Sequence, residues 1–138
     1  MKILIVGSGG REHAIAWKLS QNKKIEKIFI APGNAVIKLI PNAEIIELSN
    51  DIDEYVNFSK ENNIDLTIVG SEELLVQGIV DKFKENELKI FGPNKKSAIL
   101  EGSKVYSKDF MKKYGIKTAI YEIFDDFNNA KEFLSNYK

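Results

Sequence analysis

Short, continuous hydrophobic runs alternate with helical patterns along the first two thirds of the chain. The runs are rich in Ile, Leu, Val and Phe and rarely alternate with polar residues. They lie at residues 2–6, 25–31, 44–48, 64–69 and 88–91. Strands that are buried on both faces have this pattern, which is typical of parallel sheets covered by helices.

Apolar residues at helical spacing fill the segments between these runs. In residues 11–22 and 52–59 they fall on one face. Leu75, Ile79 and Phe83 recur four residues apart and predict a single helix after the fourth run. The order β-α-β-β-α-β-α-β therefore predicts an α/β fold with a doubly wound, mostly parallel sheet.

The last third of the chain has a different pattern. Residues 94–101 predict a short helix, and Ser103 caps a second one. Residues 116–124 favour a strand, and a final helix over residues 125–137 would turn one apolar face inward. The residues of that face are Phe127, Ala130, Leu134 and Tyr137. We expect one domain over residues 1–102 and, over residues 103–138, a linker helix and the beginning of a second domain; alternatively, the tail packs back onto the first domain.

Charge and composition exclude several classes of protein. The chain has 20 basic and 20 acidic residues, which gives no electrostatic support for a nucleic-acid or membrane surface. With 43% hydrophobic and 29% charged residues, it is neither disordered nor membrane-spanning. It has no Cys and one His, so a metal centre would need mainly carboxylate ligands. The N-terminus is not a signal peptide, and we expect a cytoplasmic monomer.

A glycine cluster directly after the first run is the first functional feature. Gly7, Gly9 and Gly10, with Ser8 among them, connect a predicted strand to a predicted helix. Small residues there let the backbone approach a phosphate, and the amides of the helix N-terminus receive the anion. Arg11, the only arginine in the chain, adds a guanidinium suited to phosphate oxygens. We predict phosphate or phosphosugar binding; the alternative is a tight turn without a ligand.

The glycine cluster does not complete the dinucleotide-binding fingerprint. The motif G-x-G-x-x-G has a third glycine for close packing of helix and strand, and Glu12 stands at that position. The motif also expects an acidic residue after the second strand, where this chain has Ala31 and Pro32. The sequence therefore argues against NAD binding.

Other candidate residues lie close to the same predicted site. Glu72 follows the fourth strand, at the carboxyl end where open α/β sheets bind ligands, although an acidic residue also favours a helix N-terminus. Gly33 and Asn34 follow the second strand and would form a wall of the same crevice. His13 is either a general base or a structural histidine packed against Trp17, and we favour the structural role.

Several segments of the chain, in order, resemble one enzyme family. They are VGSGGREHA at 6–14, APGNA at 31–35, DLTIVG at 65–70, KIFGP at 89–93, LEGSK at 100–104 and KDF at 108–110. On these residues the chain resembles the N-terminal region of the phosphoribosylamine–glycine ligases, which belong to the ATP-grasp superfamily. The resemblance extends over essentially the whole chain.

This resemblance implies a function in de novo purine biosynthesis. In the family, ATP activates glycine as an acyl phosphate, and the amine of 5-phosphoribosylamine attacks it to give glycinamide ribonucleotide, with Mg²⁺ assisting. It also implies a Rossmann-like N-terminal domain that binds no dinucleotide, followed by the start of an ATP-grasp domain. The expected partners are 5-phosphoribosylamine, glycine and ATP, with no nucleic acid or membrane.

The resemblance also implies roles for particular residues. Those expected to face the substrate phosphate are Ser8, Gly9, Gly10 and Arg11. Glu72 would face the sugar or its amine, and we add Gly33 and Asn34 to the substrate-binding set. Lys104 matches a basic position that related enzymes use on ATP phosphates. No catalytic residue and no metal ligand is expected in this chain.

The chain departs from the family pattern in sequence and in length. Ser71 and Leu74 stand where the family usually has prolines, and Val36 replaces a small residue. Family members are several times longer, so we expect most ligands of ATP and Mg²⁺ beyond Lys138 and no ligase activity from this chain alone. Two alternatives are a stand-alone nucleotide- or phosphate-binding module and a purely structural interaction domain.

Overall fold

The computed structural model describes residues 1–137, and the chain divides into two compact units, Met1–Gly102 and Ser103–Lys138. The strands of the first unit are β1 (Lys2–Gly7), β2 (Lys27–Pro32), β3 (Ala43–Ile45), β4 (Leu66–Val69) and β5 (Ile90–Phe91). All of them pair in parallel, in the order β3-β2-β1-β4-β5. The predicted α/β class with a doubly wound parallel sheet is confirmed.

Helices cover both faces of this sheet. They are α1 (Gly10–Ser20), α2 (Ile52–Glu61), α3 (Glu72–Gln77), α4 (Ile79–Glu85) and α5 (Lys95–Gly102), with a short 3-10 helix at Ala35–Leu39. Leu4 and Val6 of β1 pack in one hydrophobic cluster with residues of α2 to α5, whereas Ile3 and Ile5 pack in another with α1. Because β1 is buried on both faces, its sequence is continuously apolar.

The strand order places a topological switch point between β1 and β4. The chain runs outward from β1 through β2 to β3, and α2 then returns it to the other side of β1 as β4. Val6 of β1 pairs with Ala31 of β2 and with Val69 of β4, so the three strands end side by side. Open α/β sheets bind ligands in the crevice beside such a point, at the carboxyl ends of the strands.

The single helix predicted through Leu75, Ile79 and Phe83 is wrong, because two helices occupy that segment. α3 ends and α4 begins at Gly78, whose φ of 106° lies in the left-handed region. The amide of Gly78 donates to the carbonyls of Leu74 and Leu75, both at 3.1 Å. All three apolar side chains stay buried across the break, and the hydrophobic periodicity therefore does not reveal it.

The second unit contains α6 (Lys104–Lys113) and α7 (Phe127–Asn136). Ser103 caps α6 as predicted, because its hydroxyl accepts from the amide of Tyr106 at 3.2 Å. The strand predicted at residues 116–124 is wrong: this segment of the described chain forms no strand, and residues 103–137 supply no other strand to pair with it. No helix within residues 1–137 is long and apolar enough to cross a membrane.

The apolar face of α7 is exposed, which contradicts the inward orientation predicted for it. Phe127 is 76% exposed, Leu134 70% and Tyr137 59%, and only Ala130 of this set is partly buried. An amphipathic helix buries its apolar stripe only against another element. Within residues 103–137 the segment 120–124 lies beside α7, with Phe124 against Phe133 at 5.2 Å between ring centroids, but it buries no residue of the helix.

Candidate functional site

The loops after β1 and β2 lie against each other at the carboxyl edge of the sheet. The amide of Gly33 donates to the carbonyl of Gly7 at 3.1 Å, and Nδ2 of Asn34 donates to the carbonyl of Ser8 at 2.8 Å. Oδ1 of Asn34 also accepts from the amide of Val36 at 3.1 Å, so both ends of the Asn34 amide group are held. The structure thus brings together the predicted residues Ser8, Gly33 and Asn34.

The N-terminus of α1 opens onto the same edge, with Gly9 as its N-cap. The first amides of a helix have no carbonyl partner within the helix and are available to a side chain or an anion. Oε2 of Glu12 already accepts the amide of Gly9 at 2.6 Å. The remaining donors at the start of this helix are therefore the amides of Gly10, Arg11 and Glu12.

Arg11 links α1 to the loop that follows β4. Its Nη2 donates to Oε1 of Glu72 at 3.1 Å and to the carbonyl of Gly70, and its Nε donates to Oε1 of Glu12 at 3.2 Å. The hydrogen bonds to Glu72 and then to Glu12 raise the pKa of Arg11 above its ordinary value. The side chain is 52% exposed, so a cation fixed at three points stays accessible to a ligand at the carboxyl edge of the sheet.

Glu12 is the site residue that sequence reasoning did not assign. It is only 3% exposed, and its two oxygens accept from Gly9 and Arg11. One signal was present in the sequence, because Glu12 occupies the N3 position of α1, from which a Glu side chain commonly reaches back to the N-cap amide. Its burial depends on residues after β4, which local sequence does not specify.

A second carboxylate supports the loop before α2. Oε1 of Glu73 accepts from Nδ2 of Asn50 at 3.1 Å and from Nε2 of Gln77 at 3.5 Å. The adjacent Glu72 is 53% exposed and directed to Arg11. The two glutamates that begin α3 therefore have different roles. Glu73 holds the loop before α2 through Asn50, and Glu72 forms the ion pair with Arg11.

Two candidate residues are not drawn into this arrangement. His13 is partly buried and Trp17 is 54% exposed, and no hydrogen bond or ring contact joins them among the described residues. The structural role for His13 stays a prediction. Lys104 is the first residue of α6, in the second unit, and its role on ATP phosphates also stays a prediction.

The two sides of the crevice carry groups of opposite charge. At the α1 side it offers a guanidinium and helix N-terminal amides, which favour an anion. At the α3 side it offers the half-exposed carboxylate of Glu72, which accepts hydrogen bonds from hydroxyl or amine groups. A ligand with a phosphate at one end and donors near it matches both sides.

The fold and this crevice define a Rossmann-like α/β domain in which a glutamate replaces the third glycine of the dinucleotide fingerprint. Solved structures with the same fold include the biotin carboxylase domain of 2-oxoglutarate carboxylase from Hydrogenobacter thermophilus. That domain has a TM-score of 0.67 at 19% identity, over 99% of this chain and 33% of that one. At this identity the similarity concerns the fold alone.

Family comparison is more specific. The model of the phosphoribosylglycinamide synthetase N domain matches residues 1–101, and that of the ATP-grasp (A) domain of the same synthetase matches residues 102–138. The chain belongs to the phosphoribosylglycinamide synthetase family, as its sequence motifs predict.

Individual relatives agree with this assignment. The chain is 63% identical to the phosphoribosylamine–glycine ligase of Fusobacterium nucleatum and 54% identical to that of Clostridium acetobutylicum, over 97% of its own length in each case. The crystal structure of the Thermotoga maritima ligase matches all of the chain with a TM-score of 0.65 at 30% identity, and the chain covers 31% of that structure. The chain spans about a third of the length of these curated relatives, 31% and 32%.

Proposed function

We propose that this chain is the substrate-side part of an ATP-dependent ligase that joins glycine to 5-phosphoribosylamine, giving glycinamide ribonucleotide in de novo purine biosynthesis. One observation carries the proposal. Arg11, on the helix after the glycine loop, meets Glu72 at 3.1 Å across the switch point of the sheet. Two residues that follow different strands thereby form one site, and the names of the relatives supply the reaction.

The 5-phosphate binds at the α1 end of the crevice in this proposal. The amides of Gly10 and Arg11 and the free edge of the Arg11 guanidinium donate to its oxygens. Ser8 and Gly9 shape the loop, and the amide of Gly9 acts indirectly because Glu12 already accepts it at 2.6 Å. The remaining wall consists of Gly33 and Asn34.

Glu72 binds the other end of the substrate. Its carboxylate accepts hydrogen bonds from the ribose hydroxyls or from the amine that attacks activated glycine. Because Arg11 bonds one of its oxygens, Glu72 keeps the second oxygen for the ligand. The carboxylate thus orients the sugar relative to the phosphate.

We further propose that ATP and Mg²⁺ take part in the complete ligase and that Lys104 contacts ATP phosphates. The Hydrogenobacter thermophilus domain with this fold was solved with MgADP. Mg²⁺ prefers a set of oxygen ligands, and no group of three Asp, Glu or His side chains is clustered within residues 1–137. We therefore assign none of the described residues to the metal.

The test is an NMR titration of the chain with ribose 5-phosphate. We expect amide shifts concentrated in residues 7–12 and 70–73. Ribose should shift mainly the second group, and inorganic phosphate mainly the first. Shifts confined to residues outside these two segments would contradict the proposed site.

A further inference from the structure

We propose that Glu12 is a positioning residue of this site: its buried carboxylate sets the direction in which Arg11 meets the substrate phosphate. The identity of the ligand rests on the proposed function, whereas the orientation of Arg11 by Glu12 does not depend on it. A buried carboxylate is costly unless hydrogen bonds and an opposite charge compensate it. At 3% exposure Glu12 needs such partners, and the structure shows which groups it holds.

The two oxygens of Glu12 bind two different functional groups. Oε2 accepts from the amide of Gly9 at 2.6 Å, and Oε1 accepts from Nε of Arg11 at 3.2 Å. The first bond fixes the glycine loop at the N-cap of α1. The second turns the guanidinium so that Nη2 reaches Gly70 and Glu72. A single carboxylate therefore fixes both the position of the glycine loop and the orientation of the Arg11 guanidinium.

Three glycines make room for this carboxylate. A Cβ on Gly7 would lie 2.8 Å from Cδ of Glu12, and one on Gly9 would lie 2.9 Å from Oε2. A Cβ on Gly70 would overlap Oε1 of Glu12. Gly70 does not have a positive φ, unlike Gly7 at 133°, so no left-handed backbone conformation requires a glycine there. We infer that Gly70 is glycine because Glu12 occupies the space of a side chain.

The same geometry predicts that Glu12→Gln disrupts one of the two hydrogen bonds. Both groups that face Glu12 are donors, the amide of Gly9 and Nε of Arg11. In Glu12→Gln one terminal atom becomes an NH2 donor, so one of these groups would face another donor. The side-chain shape is nearly unchanged, and the variant therefore tests the hydrogen bonds rather than the packing.

Arg11 provides a direct probe, because it is the only arginine among the 138 residues. Its Nε–Hε signal is unique in the NMR spectrum of the intact chain. Without ligand, we expect slow hydrogen exchange at Nε and a shift that differs from free arginine. In Glu12→Gln the signal should move toward the free value, and in the exposed control Glu26→Gln it should not. Rapid exchange in the unmodified chain, or an unchanged signal in Glu12→Gln, would overturn the proposal.

Calorimetry with ribose 5-phosphate tests the functional part. We expect Glu12→Gln to weaken binding about tenfold and to add little in an Arg11→Ala background, because it acts through Arg11. An effect of Glu12→Gln that persists fully in that background would contradict the proposal that Glu12 acts by positioning Arg11. If the unmodified chain binds no ribose 5-phosphate, the proposed function fails, while the Nε–Hε signal still decides the role of Glu12.

A double substitution tests independently whether Gly70 leaves space for the Glu12 carboxylate. Gly70→Ala should shift the Arg11 signal and weaken ribose 5-phosphate binding in the unmodified chain. A Glu12→Ala background removes the three atoms nearest to the added methyl, so the same substitution should have little further effect. Equal effects in both backgrounds would show that the space beside Gly70 is not needed to accommodate Glu12. If Glu12 variants do not fold, the exchange rate at Nε of the unmodified chain remains decisive.

Discussion

Arg11 combines a structural and a ligand-binding role in one side chain. A guanidinium is charged throughout the pH range in which proteins are folded, and the hydrogen bonds of Arg11 to Glu72 and Glu12 raise its pKa further. The ion pair with Glu72 joins two half-exposed groups, at 52% and 53%, and contributes at most about 1 kcal/mol to stability. The larger consequence of the pair is geometric, since it holds the cation over the crevice.

Arg11→Ala should therefore impair binding. We expect ribose 5-phosphate affinity to fall by about 1.5–3 kcal/mol, roughly ten- to hundredfold, as for the loss of a hydrogen bond to a charged group. Calorimetry measures the change. The matched control is Lys18→Ala, which removes an exposed cation from the last turn of the same helix. Equal losses in both variants would indicate a general effect of charge rather than a specific contact.

At the scale of elements, the sequence predicts the strands better than the breaks between helices. Runs such as residues 2–6 are recognisable because β1 is buried on both faces and so lacks polar positions. The break at Gly78 is not recognisable, because Ile79 and Phe83 continue the spacing of α3 and are fully buried. Residues 116–124 have the composition of a strand, but a strand also requires a partner, which is not a local property.

The break at Gly78 should have a measurable cost when its backbone freedom is removed. A Cβ there meets Lys95 Cδ at 3.4 Å, an ordinary contact, so the penalty of Gly78→Ala comes from its φ of 106°. We expect the free energy of unfolding in urea to fall by about 1–2 kcal/mol. Gly10→Ala is the control, because a Cβ at Gly10 has no neighbour within 4 Å. A similar loss in both variants would contradict a role for the backbone.

The candidate site shows the same division between local and distant information. Arg11 and Glu72 could be predicted to approach each other, because both follow the carboxyl ends of strands in a parallel sheet. The burial of Glu12 could not, because it requires Gly70 as well as Gly7 to leave space around one carboxylate. Sequence therefore identifies the groups that face the ligand more readily than the group that orients them.

At the scale of the whole molecule, the two units differ in how much they bury. The first unit has two hydrophobic clusters on opposite faces of its sheet. In the second, neither α6 nor α7 has a buried residue within the described chain. Local stability follows the amount of buried apolar surface, so segments without it open at low free energy. The second unit should therefore open more readily than the first.

Limited proteolysis with chymotrypsin tests this difference, and the chain offers a matched pair of sites. Phe91 in β5 is 70% exposed and Phe127 at the start of α7 is 76% exposed, so side-chain accessibility is nearly equal. Cleavage requires local opening of the backbone, and β5 pairs with β4 in the sheet of the first unit. We expect early cuts at Phe127 and other aromatic residues of 103–137, and a resistant product that retains Phe91. Equal cleavage at both sites would contradict the difference in stability. Resistance throughout residues 103–137 would instead favour a closed, self-contained module.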